Sequence, residues 1–288
     1  MSFLEQSSAA TVPRAWLVPL RLYGAVVLST AALIPGGHHD LSLVAAKPLL
    51  PAPLVLGLAI IAAIALAAGA GTAVAAAVGI ALILIELFAA GNLNRWTPVS
   101  TGPFTAVAVV LLLTPALGQA GRVMGVDRLV AIRRGITALD QAPLWALVVT
   151  RLYLGGAFLR AASFKIGGEW TAWPRDMAAF VTEQATHSVP LYRVFLTDVV
   201  VPHINFFAPA IAIAEMVVGT LLVLGLLTRV AAGVGAFLTA NYLLMDASPL
   251  YLPNNDATFV LGCVTVMAAA GGRAYGLDIL LRRRFSWA

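Results

Sequence analysis

Eight long apolar stretches divide the chain, at about 16–34, 53–70, 73–90, 103–118, 144–164, 206–226, 230–245 and 257–271. A hydrocarbon core about 30 Å thick takes roughly 20 apolar residues to cross as a helix, and inside it every backbone N–H and C=O needs a partner in its own helix or in a closed barrel. The stretches are dominated by Gly, Ala, Leu and Val and lack the apolar and polar alternation of barrel strands. They therefore predict helices packed through small residues, such as Ala208, Ala212 and Gly219 on the sixth stretch. Of 288 residues, 60% are hydrophobic and only 11% charged, whereas about a quarter of a soluble domain is charged. That balance excludes intrinsic disorder, and the single cysteine, Cys263, excludes a disulfide scaffold and reads as a small core residue. The predicted class is an all-α integral membrane protein with eight transmembrane helices.

An even number of spans places both termini on one side, together with the links at 71–72, 119–143 and 227–229. Those segments carry Arg14, Arg122, Arg128, Arg133, Arg134, Arg229, Arg273, Arg282, Arg283 and Arg284, ten of the 18 Lys and Arg. The other side holds Lys47, Arg95, Lys165, Arg175 and Arg193 and is richer in acids. By the positive-inside rule both termini are expected in the cytoplasm, with the protein in the plasma or inner membrane. The net charge of +5 is then a topology signal and gives no reason to expect a nucleic-acid partner. The first 15 residues contain Glu5 and Arg14 and lead into a span containing Arg21, with no clear small-residue cleavage site after a short apolar core, so a cleaved signal peptide is not expected.

Three landmarks recur in order along the chain. Arg21-Leu22-Tyr23 returns as Arg151-Leu152-Tyr153, and the segment from Gly71-Thr72 to Gly79 resembles that from Leu227-Thr228 to Gly235. A G-R-x-x-G-x-D pattern closes each half, at Gly121 to Asp127 and at Gly272 to Asp278. The expected architecture is two tandem four-helix repeats of the same orientation, residues 1–140 and 141–288, the second with a long outer loop at 167–205. In the closing pattern, the glycine is expected to end the fourth helix and Asp127 or Asp278 to cap the short interfacial helix that follows.

The second half resembles the DoxX family of small four-helix membrane proteins. The resemblance is carried by Arg151-Leu152-Tyr153-Leu154-Gly155-Gly156-Ala157-Phe158-Leu159 with Lys165, by Ala214-Glu215-Met216-Val217-Val218-Gly219, by Leu224-Gly225-Leu226-Leu227-Thr228-Arg229, and by Gly272-Arg273 through Leu277-Asp278-Ile279-Leu280. The outer segment, with Pro190-Leu191-Tyr192-Arg193 and Val201-Pro202-His203, is similar to the DoxD-type members associated with thiosulfate:quinone oxidoreductase. The first half is a degenerate copy, with Pro35 near the position of Lys165 and Ala59 near that of Glu215. The resemblance implies a membrane subunit of a quinone-linked oxidoreductase, with membrane lipids and a redox partner protein as neighbours.

A charge at mid-membrane costs roughly 2.5–3.5 kcal/mol on the most lenient scale, so intramembrane ionisable residues are candidates for function. Glu215 and Arg151 are the candidate catalytic pair, and the structural alternative is an Arg151–Glu215 ion pair that fixes helix packing. Lys165 is expected to snorkel to the headgroups or to cover a pocket between helices. Arg160, nine residues from Arg151, lies on the opposite side of the same helix. Asn254 and Asp256 read as loop solvation. A quinone head requires hydrogen-bond partners for its carbonyl oxygens and a protonatable group nearby, and Glu215, Lys165, His203, Asn241 and Tyr242 are the candidate quinone-binding set. The sequence has no haem, nucleotide or iron–sulfur signature, so the electron donor would be a partner protein. His38-His39-Asp40 are adjacent residues that do not readily converge on one ion, and no metal site is expected. Glu86 with Arg95 reads as a surface pair. Two alternatives from other classes are a non-catalytic scaffold or cargo-binding membrane protein, and a small-solute transporter with a midplane carboxylate.

Overall fold

The computed structural model describes residues 9–33, 50–89, 102–136, 140–167, 172–245, 255–269 and 271–282. His38, His39, Asp40, Arg95, Asn254 and the side chain of Glu86 lie outside the described residues. The chain forms two compact units, Met1–Thr150 with Pro253–Thr258, and Arg151–Leu252 with Phe259–Ala288.

Each of the eight apolar stretches contains a helix. In the first unit these are α1 (Val18–Leu33), α2 (Ala52–Ala68), α3 (Thr72–Ala89) and α4 (Gly102–Leu117), followed by the short α5 (Val126–Arg133). Successive helices pack on one another and α4 returns to α1, closing a four-helix ring around Leu28, Leu66, Ile83 and Leu112. A two-stranded antiparallel ribbon pairs β1 (Thr11–Pro13) with β2 (Gln141–Pro143), with Val12 opposite Ala142. Each strand runs into a 3₁₀ turn, Arg14–Leu17 or Leu144–Leu147, and then into a helix. Proline at Pro13 and Pro143 suits both the strand end and the helix entry, where no backbone N–H is needed.

The second unit takes most of α6 (Val148–Gly167) and α11 (Asn255–Ala269) with all of α9 (Ile204–Leu224) and α10 (Thr228–Met245), and includes the short α12 (Asp278–Arg282). Leu144–Gly167 and Ile204–Leu224, with 24 and 21 residues and mean hydropathies of 1.3 and 2.2, are long and apolar enough to cross a membrane. Small residues hold α6 against α9. A Cβ on Gly219 would lie 2.7 Å from the Leu159 N, and one on Gly155 would lie 2.9 Å from the Val223 N, so neither glycine has room for a side chain. Cys263 is fully buried in α11.

Among its described residues, the segment at 167–205 is mostly helical rather than a loop. It contains α7 (Trp173–Ala185), α8 (Pro190–Phe195) and a π-helical turn at Leu196–Val200 that leads towards α9. Apolar residues every fourth position, Trp173, Met177, Val181 and Ala185, give α7 one buried face, which packs with Leu196, Val200 and Ala208.

The G-R-x-x-G-x-D segments are structural, and the aspartates act differently from expectation. Asp127 caps α3 rather than its own helix, accepting from Gly71 N at 2.6 Å, Thr72 N at 3.0 Å and Thr72 Oγ1 at 2.9 Å. Asp278 accepts from Thr228 N, at the start of α10, at 3.1 Å. In return the Asp127 and Asp278 amides donate to the carbonyls of Gly69 and Gly225, both at 2.8 Å. Gly69 and Gly225 close α2 and α9 in left-handed geometry (φ +63° in both), the usual glycine solution to a helix end. Leu227 takes the same strained region (φ +49°) that Gly71 takes in the first unit (φ +55°). Gly121 does not end α4, which stops at Leu117; it sits in a 3₁₀ turn, where a Cβ would strike Thr72 and Asp127.

An arginine threads each of these corners. Arg151, 1% exposed, donates from Nη1 to the carbonyls of Gly271 (3.1 Å) and Ala274 (2.9 Å) and from Nη2 to that of Tyr275 (3.0 Å). A Cβ on Gly225 would lie 2.6 Å from Arg151 Nη1 and 2.6 Å from Gly276 Cα. Arg21 in the first unit donates to the Ala120 carbonyl at 3.2 Å beside Gly69 and Gly125. Three carbonyls depend on Arg151 and one on Arg21, and a hydrogen bond from a charged donor contributes about 1.5–3 kcal/mol. Arg151→Met is therefore expected to destabilise the detergent-solubilised protein by about 3 kcal/mol or more. Arg21→Met should cost visibly less, and equal losses in thermal unfolding would refute the bracket.

Candidate functional site

Two charges of the second unit, Lys165 and Glu215, meet near the C-terminal end of α6. Lys165 lies in its last turn, Glu215 in the middle of α9 and Tyr242 near the end of α10. Glu215 is 1% exposed, so its carboxylate has been stripped of water and must be compensated by protein donors. Lys165 Nζ bonds both of its oxygens, with Oε1 at 2.5 Å, and Tyr242 Oη donates to the same Oε1 at 2.6 Å. Lys165 thus does not snorkel outwards; the carboxylate holds it inwards.

Aromatic rings cover the cation. Lys165 Nζ lies 5.6 Å from the centre of the Trp173 ring and 5.9 Å from that of Tyr242, within cation–π range. Trp173 is anchored by its indole N–H, which donates to the Ala208 carbonyl at 3.0 Å. The first turn of α7 therefore forms one wall of the site. Trp173 was not among the residues singled out from sequence; its only signal was the four-residue apolar spacing it begins.

The structure brings together three of the five residues of the expected quinone set. Asn241 points elsewhere: Tyr192 Oη donates to its Oδ1 at 2.8 Å, and its Nδ2 donates to the Phe237 carbonyl at 2.7 Å. Burial raises the Tyr192 phenol to about 12, so it remains a neutral donor at any ordinary pH. His203 is exposed at the entrance to α9, its Nδ1 2.9 Å from the Val199 carbonyl. Nor is there an Arg151–Glu215 pair. Arg151 is committed to the carbonyls of the closing turn, and Glu215 to Lys165 and Tyr242. Among the described residues, no group of three or more His, Cys, Asp or Glu side chains could hold a metal.

Long apolar helices enclosing a satisfied ion pair define a helical membrane protein with a charged cluster in its second unit. Residues 146–245, which include Lys165, Glu215 and Tyr242, match the DoxX family model. No curated protein and no solved structure matches the chain.

Removing one partner of a buried pair strands the other charge, at a cost of about 3–5 kcal/mol, whereas removing both is much milder. Lys165→Met and Glu215→Gln should each destabilise the protein by that amount, and the double variant by less than either single. Additive losses in a double-mutant cycle would show that the two side chains act independently.

Proposed function

We propose that this DoxX protein is the membrane subunit of a quinone-linked oxidoreductase and that the Lys165–Glu215–Tyr242 cluster is its quinone-facing, proton-handling site. The proposal extends to eight membrane spans in two tandem repeats of one orientation, with both termini on the arginine-rich side. In favour of duplication, Arg21, Gly69, Gly125, Asp127 and Thr72 occupy in the first unit the roles of Arg151, Gly225, Gly276, Asp278 and Thr228 in the second.

The carrying observation is the hydrogen-bonded run from Tyr242 through Glu215 to Lys165 within an apolar bundle. The donor chemistry fits a quinone head. Lys165 uses two of its three protons on Glu215 and retains one that could be given to a carbonyl oxygen, and Trp173 offers a flat apolar wall. A quinone bound there would supply the electron-accepting chemistry. Glu215 would hold the positive charge of Lys165 in place and store or release a proton, with Tyr242 as its hydrogen-bonded neighbour. Electrons would come from a partner protein, consistent with the resemblance to DoxD-type subunits.

A second reading, a non-catalytic scaffold, is favoured by the fact that both Glu215 oxygens are already satisfied by protein donors. The two readings diverge in experiment. If the cluster handles quinone, protein purified in mild detergent carries quinone extractable by organic solvent, and Lys165→Gln or Tyr242→Phe lowers its occupancy at least fivefold in protein that still folds. Scaffold behaviour would be a fall in melting temperature with unchanged quinone content, or no quinone in the parent protein.

A further inference from the structure

The first unit lacks the ion-pair cluster but has a cavity of about 220 Å³ at its arginine-rich end, between the start of α3 and the helix α5. Arg122, Arg134, Gln119, Thr72, Asp127 and Ile136 are among its lining residues. The charge in this cavity is unbalanced. Asp127, the acid lining it, spends both oxygens on Gly71 and Thr72 at the start of α3. Asp140 pairs with Arg128 at 3.1 Å. Among the described residues neither Arg122 nor Arg134 makes an ion pair. The buried Arg14 guanidinium feels the excess: it is held below its ordinary value first by burial and then by repulsion from Arg122, against a smaller opposing effect of Asp140.

Next to this cationic cavity the chain exposes large apolar side chains that a water-facing surface would not favour. Met124 is 65% exposed, Leu129 61% and Ile132 54%. Arginines interleaved with outward apolar residues on a short helix at the end of a helical bundle match the composition of a segment lying in the headgroup layer, where apolar side chains enter the acyl region and guanidinium groups meet phosphates. A free phosphate would use the arginines but leave Met124, Leu129 and Ile132 without a role.

We propose that Arg122 and Arg134, with Gln119, form a binding site for the phosphate of an anionic phospholipid, whose acyl chains pack along Met124, Leu129 and Ile132. A guanidinium fork matches phosphate oxygens in geometry as well as charge, and the cavity exceeds what a single water requires. The site draws on the membrane character of the chain alone and is independent of the quinone reading.

Native mass spectrometry of the detergent-purified full chain, titrated with phosphatidylglycerol, phosphatidylcholine and inorganic phosphate, tests this. Phosphatidylglycerol should bind about tenfold more tightly than phosphatidylcholine. Arg122→Gln/Arg134→Gln should abolish most of that preference, while Arg133→Gln, at the end of α5 and outside the cavity, should change it less than twofold. Should the double variant fail to fold, Arg134→Gln alone, at an exposed position, should lower phosphatidylglycerol affinity about threefold or more. The proposal is overturned if the two lipids bind equally, if Arg133→Gln loses as much as the cavity variants, or if inorganic phosphate displaces the lipid completely at equal concentration, which would indicate a free-oxyanion site.

Discussion

A carboxylate in an apolar bundle is stable only when it is fully compensated, and Glu215 sets the terms for the second unit. Its charge is balanced by Lys165 and its remaining acceptor capacity partly used by Tyr242, residues from helices 50 positions before it and 27 after it. Such a pair fixes rotation as well as charge: α6, α9 and α10 must each present one side chain to one point. The approach of α6 to α9 that this requires comes from Gly155 and Gly219, where no side chain keeps the backbones apart. Small residues and buried charges therefore work together, the glycines supplying proximity and the ion pair supplying register.

The same economy governs the helix ends. Turns between apolar helices leave carbonyls and amides that water reaches poorly, and each unit satisfies them with arginines and one aspartate, Arg14 adding a bond to the Gly118 carbonyl in the first. Arg151 serves carbonyls of the closing turn while Asp278 caps α10, and Arg21 and Asp127 do the corresponding work around α3. Motif residues that on paper resemble a catalytic arginine and acid thus account for backbone groups instead. Among the described residues, Arg122, Arg133 and Arg134 at the end of the first unit make no ion pair, and of these Arg122 and Arg134 line the cavity.

The positions of the eight apolar helices were legible in the sequence because hydropathy acts locally, and the helices fall where the apolar runs do. The landmarks Arg151, Gly225 and Asp278 were visible too, but their partners were not. A sequence places Arg151 and Glu215 on neighbouring helices without saying which way each side chain turns, and the longer reach of Arg151 made it the more plausible partner. Lys165 won because the α6–α9 contact at Gly155 and Gly219 brings the end of α6 to the depth of Glu215. The helical segment before α9 was hidden for a different reason: α7 is amphipathic rather than uniformly apolar, and only its packing face at Met177, Val181 and Ala185 reveals it.

What the sequence determined by itself was the class of protein: low charge and long apolar runs admit little except helices in a bilayer, and the residues from Arg151 onward carry the DoxX resemblance. The tertiary structure decided the site. Ion pairing depends on helix rotation and interaxial distance, quantities fixed by contacts between residues far apart in the chain, and these gave Glu215 to Lys165 and Tyr242, covered it with Trp173, and sent Arg151, Asn241 and His203 to other work.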